Sequence, residues 1–276
     1  MGTILAFHAH PDDEALLTAG TLARAVSEGH QVILVLATRG DAGDVGAEVL
    51  RQDEDLAARR SQEAQASANA IGVKELRFLD YADSGLTPDA TGSWPDGSFC
   101  AATVGEIASH VIALLREFDA DLLIADDRNG GYGHPDHQQV HRVAYEASLA
   151  TGIPFLQATI DREFLSGGIE LAKSLGLEVP EGFVPPDLSS WYSPHDEITH
   201  VVDVSSALGV RRASMAAHTT QTTGAPDSVR TLALFLGLPE DIFAIAFSTE
   251  WYVMSSTQNN PELLPDLFSN IFTVAP

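Results

Sequence analysis

Two short motifs in this chain combine histidine and aspartate at spacings that suit a divalent metal ion. One is His-Pro-Asp-Asp-Glu, from His10 to Glu14, and the other is His-Pro-Asp-His, from His134 to His137. Each motif places two such side chains three residues apart, and one turn of helix brings residues at that spacing to a common face. Two turns of this kind could supply three protein ligands and leave one position for water, which is typical of a catalytic metal site.

An apolar run precedes each motif, and a helical pattern follows it. The runs Thr3–Phe7 and Leu122–Ala125 are typical of buried strands, and Glu14–Glu28 and His137–Leu149 have helical periodicity. Continuous apolar strands that alternate with helices predict a parallel sheet covered on both faces. We therefore predict an α/β fold with a Rossmann-like, doubly wound and mostly parallel sheet. Such sheets bind ligands at the carboxyl ends of their strands, where both motifs lie. Further predicted elements of this half are the strands Gln31–Thr38 and Leu76–Leu79 and the helices Ala57–Ile71 and Val104–Phe118.

The pattern is looser after residue 151. We predict that residues 1–155 form a metal-binding catalytic core and that residues 156–276 form a smaller C-terminal α/β subdomain, which completes the fold and the substrate pocket. The elements predicted there are the strands Ile153–Ile160, Ile198–Val204 and Glu250–Met254 and a helix Ser205–Ala217 capped by Ser205.

Stretches rich in glycine and proline indicate three loops around the site, at residues 41–55, 80–99 and 179–195. For the first and third of these loops, the sequence leaves open whether they determine specificity or only connect neighbouring elements.

Composition excludes several classes of partner. The 276 residues carry 15 basic and 39 acidic side chains, for a formal net charge of −24, which repels nucleic acid and anionic lipid. No apolar stretch reaches the roughly 20 residues that a membrane span requires. Cys100 is the only cysteine, so an internal disulfide cannot form, and this favours the cytoplasm. We expect a cytoplasmic protein that binds neither nucleic acid nor membranes.

Three motifs together resemble the signature of the LmbE/PIG-L de-N-acetylases. They are His10–Glu14, Thr38–Gly43 and Gly130–His137, and the likeness covers about residues 3–150, then resumes from Arg212 to Gln221. The chain is most similar to actinobacterial mycothiol-pathway deacetylases and conjugate amidases. The resemblance implies a metal-dependent, usually zinc-dependent, amidohydrolase that removes acyl groups from N-acetylglucosamine-type sugars. One departure is Asp41, because a glutamate is more usual there and an aspartate has a shorter reach.

The resemblance implies that His10, Asp13 and His137 are the metal ligands. Two histidines and one carboxylate suit Zn²⁺ or Fe²⁺, and the sequence does not separate these ions. An alternative is that the motifs only cap helices after strands, a common role of aspartate. A second alternative is that His141, four residues after His137, completes the set. His8, on the strand before the first motif, is expected to lie in the core or behind the ligands.

Amide hydrolysis requires a base, a stabilised oxyanion and a proton for the leaving amine. Asp12 is the predicted general base, which would pass its proton to the departing nitrogen. His134 and Tyr132 are predicted hydrogen-bond donors to the oxyanion, although Tyr132 could instead serve only in packing. Asp136 should orient either His134 or a ligand histidine.

Substrate contacts are predicted mainly from the family pattern. Arg60 matches an arginine that contacts the polyol, but it could equally be a surface residue paired with Glu63, and Arg59 is a rival for the same role. The predicted substrate-contacting residues are Arg60, Asp83, His218 and Gln221. Asp83 would contact the sugar, and His218 and Gln221 would close the pocket, although a capped helix end could equally explain these last two.

The predicted function is a zinc-dependent N-deacetylase that hydrolyses the acetamide of an N-acetylglucosamine-type small-molecule conjugate. The first alternative is an amidase that resembles mycothiol S-conjugate amidase. The second is a carbohydrate-binding relative without catalysis, but intact Asp12 argues against it because such a protein has no chemical need for that carboxylate. The expected partner is a small amino-sugar substrate, and homo-oligomer formation is left open.

Overall fold

The structure is a computed structural model that describes residues 1–46, 49–174, 187–223, 230–255 and 268–275. Its strands are β1 (Thr3–His8), β2 (Gln31–Thr38), β3 (Glu75–Tyr81), β4 (Leu122–Asp126), β5 (Phe155–Thr159), β6 (His200–Asp203), β7 (Thr249–Met254) and β8 (Thr273–Val274). They form one sheet in the order β3-β2-β1-β4-β5-β7-β6-β8. Strands β1 to β5 run parallel, and β7, β6 and β8 add an antiparallel edge. The predicted α/β fold with a mostly parallel sheet is confirmed.

The strand order reverses between β1 and β4, which are hydrogen-bonded neighbours in parallel register from Ile4 opposite Leu122 to Phe7 opposite Ala125. Both strands are buried along their whole length, as expected for strands whose residues are mostly apolar on both faces. Their carboxyl ends therefore meet at the switch point of the sheet, which is the position where such folds bind ligands.

Helices cover both faces of the sheet. They are α1 (Asp13–Leu17), α2 (Ala19–Ser27), α3 (Leu56–Ile71), α4 (Val104–Glu117), α5 (Pro135–Thr151), α6 (Arg162–Ser174), α7 (Leu208–Ala217), α8 (Thr219–Thr222), α9 (Thr231–Leu236) and α10 (Glu240–Phe247). In β1, Ile4 and Ala6 pack towards α2 and α3, whereas Leu5 and Phe7 pack towards α4 and α5. In the part of the chain that the structure describes, no helix is long and apolar enough to span a bilayer.

The predicted helix Glu14–Glu28 is wrong in one respect, because it is broken at Thr18 into α1 and α2. The main-chain N–H groups of Gly20 and Thr21, in the first turn of α2, donate to the Glu250 carboxylate at 2.9 and 2.8 Å. This carboxylate takes the place of a local cap and belongs to β7, so the pattern around Thr18 carries no sign of the break.

The region after residue 155 also differs in detail from the prediction. Ser205 does not cap the predicted helix: residues Ser205–Ala207 form a 3₁₀ turn, and α7 begins at Leu208. The predicted strands Ile153–Ile160, Ile198–Val204 and Glu250–Met254 correspond to β5, β6 and β7. Helices α6, α8, α9 and α10 and strand β8 were not predicted.

Strands β6, β7 and β8 extend the same sheet, and α7 packs against α2 and α3. The division of the chain at residue 155 stays a prediction. Parts of two predicted loops, residues 47–48 and 179–186, lie outside the described residues.

Replacing Glu250 by alanine should strongly destabilise the fold. The side chain is buried. In addition to accepting the two α2 N–H groups, its carboxylate lies 3.4 Å from the buried guanidinium of Arg211. Removing one partner of a buried ion pair costs about 3–5 kcal/mol, because the other charge stays buried without compensation. We expect a loss of this size in the free energy of unfolding in urea. Glu146→Ala, at an exposed position of α5, is the control and should change it by less than about 0.5 kcal/mol. A Glu250→Ala effect as small as that of the control would contradict this prediction.

Candidate active site

The two motifs come together at the carboxyl ends of β1 and β4. His10 and Asp13 lie where the chain leaves β1 and begins α1, and His137 lies in the first turn of α5. The turn before α5 requires glycine at position 130, where φ is +69° and a Cβ atom would lie 2.8 Å from the main-chain oxygen of His134. The Gly-rich sequence therefore lets the chain fold tightly enough to bring His134 and His137 back over the strand ends.

The Asp13 carboxylate lies between two imidazoles. Its Oδ2 atom is 3.6 Å from His10 Nδ1, and its Oδ1 atom is 3.4 Å from His137 Nε2. Ligand atoms bound at 2.0–2.2 Å around a tetrahedral zinc ion are about 3.3–3.6 Å apart. The three side chains are almost entirely buried. The donor set therefore fits a divalent metal ion in chemistry, and each imidazole lies at about this spacing from one Asp13 oxygen. Among the described residues, the groups of possible ligand atoms within 4.8 Å of one another include His10 with His134 and His137, and Asp13 with Asp126 and His137.

The other nitrogen of each histidine lies beside a second carboxylate. His10 Nε2 is 3.1 Å from Asp136 Oδ2, and His137 Nδ1 is 3.1 Å from Asp126 Oδ2. Such carboxylates fix the orientation of a metal-binding imidazole and make it a better ligand. His8 Nδ1 is hydrogen-bonded to Asp126 Oδ1 at 2.7 Å, so His8 lies behind the predicted ligands as expected. Sequence reasoning missed Asp126, although its place as the last residue of an apolar strand beside the motifs was a usable signal.

The same charges govern the protonation of the site. Burial raises the pKa of Asp13, but His137 and His10 lower it more, so that its pKa lies well below the ordinary range. Burial lowers the pKa of His137, but Asp13 and Asp126 outweigh this and raise it to about 9. The carboxylates thus favour positive charge at this point, and a divalent cation would supply that charge in place of protons.

Asp12 lies at the N-terminal end of α1 but does not cap it. Its φ of 102° is unusual for a residue other than glycine, and its side chain makes no capping hydrogen bond. Burial raises its pKa to about 6, although Arg60, with Nη2 at 3.3 Å from Asp12 Oδ2, opposes the rise. A carboxyl group with a pKa near neutrality suits both uptake and release of a proton. Because the Asp12 side chain makes no capping hydrogen bond, the alternative that it only caps a helix is wrong.

His134 and Tyr132 flank the histidine pair. His134 Nδ1 accepts a hydrogen bond from the main-chain N–H of Asp136 at 3.1 Å, which leaves its proton on Nε2. Burial and His10 lower the pKa of His134 to about 4, so the ring is neutral at neutral pH. Tyr132 is 44% exposed, with its ring centroid 5.8 Å from that of His134, so plain core packing does not describe it. Of the two predicted partners of the Asp136 carboxylate, the structure shows His10, one of the predicted ligands.

Arg60 rather than Arg59 faces the site. Its side chain is 4% exposed, and its guanidinium donates to the main-chain oxygens of Gly40 and Pro11 at 2.8 and 2.5 Å. A Cβ atom on Gly40 would lie 2.1 Å from this guanidinium, so the Thr38–Gly43 motif needs glycine there. The predicted surface pair of Arg60 with Glu63 is wrong, because Arg59 makes that pair at 3.1 Å.

Two predicted loops reach the site. Asp83, from the loop at 80–99, has Oδ1 3.5 Å from His10 Nε2, and the N–H of Ser84 donates to Asp136 Oδ2 at 3.0 Å. Asp41, from the loop at 41–55, accepts a hydrogen bond from the main-chain N–H of Asp83 at 3.0 Å. The shorter carboxylate at position 41 thus contacts the chain that carries Asp83.

The structure corrects the role predicted for His218. Its imidazole is completely buried and pairs with Glu14 at 2.6 Å, so it does not contact a substrate. Gln221 is half-buried and its Nε2 atom has no hydrogen-bond partner among the described residues, so its predicted substrate contact stays a prediction. His141 packs against Tyr145 and Phe155, with its Nδ1 atom 3.3 Å from the main-chain oxygen of Asp126, and does not join the predicted ligands around Asp13.

Comparison with known proteins gives consistent results. Residues 5–148 match the family described as GlcNAc-PI de-N-acetylase, PIG-L. The chain is 31% identical to 1D-myo-inositol 2-acetamido-2-deoxy-alpha-D-glucopyranoside deacetylase of Streptomyces griseus subsp. griseus, over 90% of this chain and 82% of that one. It is 34% identical to the protein of the same name from Geodermatophilus obscurus, over 80% of this chain and 83% of that one.

A solved structure shows the same fold. The N,N'-diacetylchitobiose deacetylase of Pyrococcus horikoshii superposes with a TM-score of 0.58 at 22% identity, covering 96% of this chain and 87% of that one. The family match covers the half of the chain that carries the motifs, and the relatives match most of the chain's length. The chain therefore belongs to the PIG-L family of de-N-acetylases, which hydrolyse an amide bond.

Proposed function

We propose that this chain is a zinc-dependent N-deacetylase that removes the acetyl group from N-acetylglucosamine linked to inositol or a similar small polyol. The observation that carries the proposal is the Asp12 carboxylate, which stands beside the His10–Asp13–His137 set without belonging to it. The relatives that are 31% and 34% identical are named for this substrate. A small-molecule partner and a cytoplasmic location are part of the same proposal.

His10, Asp13 and His137 would hold the ion, with Nδ1 of His10 and Nε2 of His137 facing it. Their other nitrogens lie 3.1 Å from carboxylate oxygens of Asp136 and Asp126, which supports this assignment of ligand atoms. A divalent metal, when bound, polarises the acyl carbonyl and lowers the pKa of water. We infer zinc because tetrahedral sites with nitrogen and oxygen ligands suit it, and Fe²⁺ is the competing ion.

The surrounding residues would move the protons and orient the substrate. Asp12 takes a proton from the attacking water and returns it to the leaving amine nitrogen. The N–H of His134 Nε2 donates to the oxyanion, and the hydroxyl of Tyr132 approaches from the open side. We assign Arg60, Asp83 and Gln221 to the sugar and polyol. The Gln221 assignment is supported by its buried Nε2 donor, which has no partner within the described part of the chain.

The proposed reaction can be tested by amine release from N-acetylglucosaminyl-inositol. Exhaustive chelation should abolish the release, and added Zn²⁺ should restore it because the ion supplies the Lewis acid. Anaerobic reloading with Fe²⁺ identifies the preferred ion. A thiol-conjugate amide serves as the competing substrate, and cleavage of that compound alone would show an amidase instead. No hydrolysis of either compound by protein with one ion per chain would overturn the proposal.

Asp12→Asn should keep the metal and lose about 10²–10⁴-fold in kcat, because the amide preserves the shape but cannot accept a proton. Metal content by mass spectrometry and steady-state kinetics test this together. The matched control is Asp119→Asn, at an exposed aspartate whose φ of 48° is also positive. Asp119→Asn should leave kcat unchanged, and a similar loss in both variants would remove Asp12 from the mechanism.

Asp126→Asn should weaken metal binding about 10–100-fold, since it removes the carboxylate beside His137 Nδ1. Competition with a chromogenic chelator measures the dissociation constant. Asp127→Asn is the control: the side chain is equally buried but accepts from Gly131 N and Thr159 Oγ1 instead. Equal affinities in the wild type and Asp126→Asn would exclude the proposed role of Asp126.

A further inference from the structure

The main chain of Asp12 adopts a conformation that its own sequence does not favour. Its φ of 102° lies in the left-handed region, where a Cβ atom is strained. Such a conformation persists only where surrounding groups enforce it, and it is often found where function needs a fixed geometry. The groups that enforce it here lie on three different parts of the chain.

The peptide unit between Pro11 and Asp12 is held at both ends. Its carbonyl oxygen accepts a hydrogen bond from Arg60 Nη2 at 2.5 Å, and its N–H donates to Glu14 Oε2 at 3.1 Å. Turning this peptide over would relieve the strain at Asp12. It would also bring the carbonyl oxygen against the Glu14 carboxylate and the N–H against the Arg60 cation, so both contacts oppose the change.

Glu14 is itself fixed from behind. Its Oε1 atom accepts hydrogen bonds from Ser67 Oγ at 2.5 Å and from His218 Nε2 at 2.6 Å. Neither Glu14 nor His218 has exposed surface, so neither side chain touches a substrate. A buried carboxylate is retained at low cost only when it is paired and hydrogen-bonded in this way.

We propose that Glu14 and His218 are a positioning pair that holds the main chain of Asp12 in its left-handed conformation and so places the catalytic carboxylate. The proposal rests on the function proposed above for Asp12. It gives the C-terminal part of the chain a role in catalysis, because His218 follows α7 and reaches back to the first motif. The pair acts through geometry, not by contact with the reacting atoms.

Glu14→Gln tests this with almost no change in volume. Two donors converge on the Oε1 position and only one on Oε2, so the amide oxygen should face His218 and Ser67. The amide nitrogen would then meet the N–H of Asp12, donor against donor, and the left-handed conformation would lose its support. We expect kcat to fall about 10²-fold with KM and metal content nearly unchanged, because a displacement of about 1 Å has an effect of this size.

Three comparisons separate positioning from a general loss of structure. In an Asp12→Asn background, Glu14→Gln should cost no further kcat, because residues that act as a unit are not additive. His218→Gln, whose amide can still donate to Glu14, should retain most of the activity. Glu250→Gln, at an equally buried glutamate that also accepts main-chain N–H groups, should lower stability but leave kcat unchanged.

Crystal structures of the variants provide a test that needs no activity. In Glu14→Gln, φ of residue 12 should move to negative values, whereas in Glu250→Gln it should stay near 102°. A φ that stays positive in Glu14→Gln, or a full additional loss of kcat in the Asp12→Asn background, would overturn the positioning role.

Absence of deacetylation by the wild type would reject the proposed function alone, since the backbone measurement would still decide whether the pair holds Asp12. If Glu14→Gln does not fold, the same two measurements on His218→Leu replace it.

Discussion

Buried carboxylates beside imidazoles are the constraint on which this structure depends. Asp13, Asp126 and Asp136 are removed from water at the end of a sheet, where an uncompensated charge would be very costly. The histidines of the two motifs compensate it, and a divalent cation would do so more completely. The tight turns, the glycines and the strand order all serve to bring each of these carboxylates within 4 Å of an imidazole nitrogen.

The parallel arrangement of β1 and β4 makes this concentration of charge feasible. Both strands end on the same edge, so residues 10–13 and 134–137 meet although more than a hundred positions separate them. The C-terminal part then supports the same edge from behind. The Glu250 carboxylate accepts main-chain N–H groups at the start of α2. His218 pairs with Glu14, so this part of the first motif has the geometry described here only when the segment after α7 is in place.

Local patterns in the sequence were sufficient for much of the fold. Continuous apolar runs predicted β1, β2 and β4 because strands buried on both faces leave that signature, and the motif spacing located the ligand-type residues. Patterns did not reveal the break at Thr18 or the true partner of His218, because both depend on contacts between residues about 200 positions apart. Asp126 was missed for a related reason: a carboxylate that ends a strand acquires its role only from the neighbour opposite.

The contact of Glu250 with Gly20 and Thr21 also has a consequence for the order of folding. It joins residues 230 and 229 positions apart, so a very long loop must close before the contact gives any stability. Contacts of this kind slow folding and form after the local ones. The parallel strands can assemble first, and the end of the sheet that carries the motifs then acquires its final shape as β7 docks. We therefore expect the edge of the sheet that carries the two motifs to be among the last parts of this protein to form.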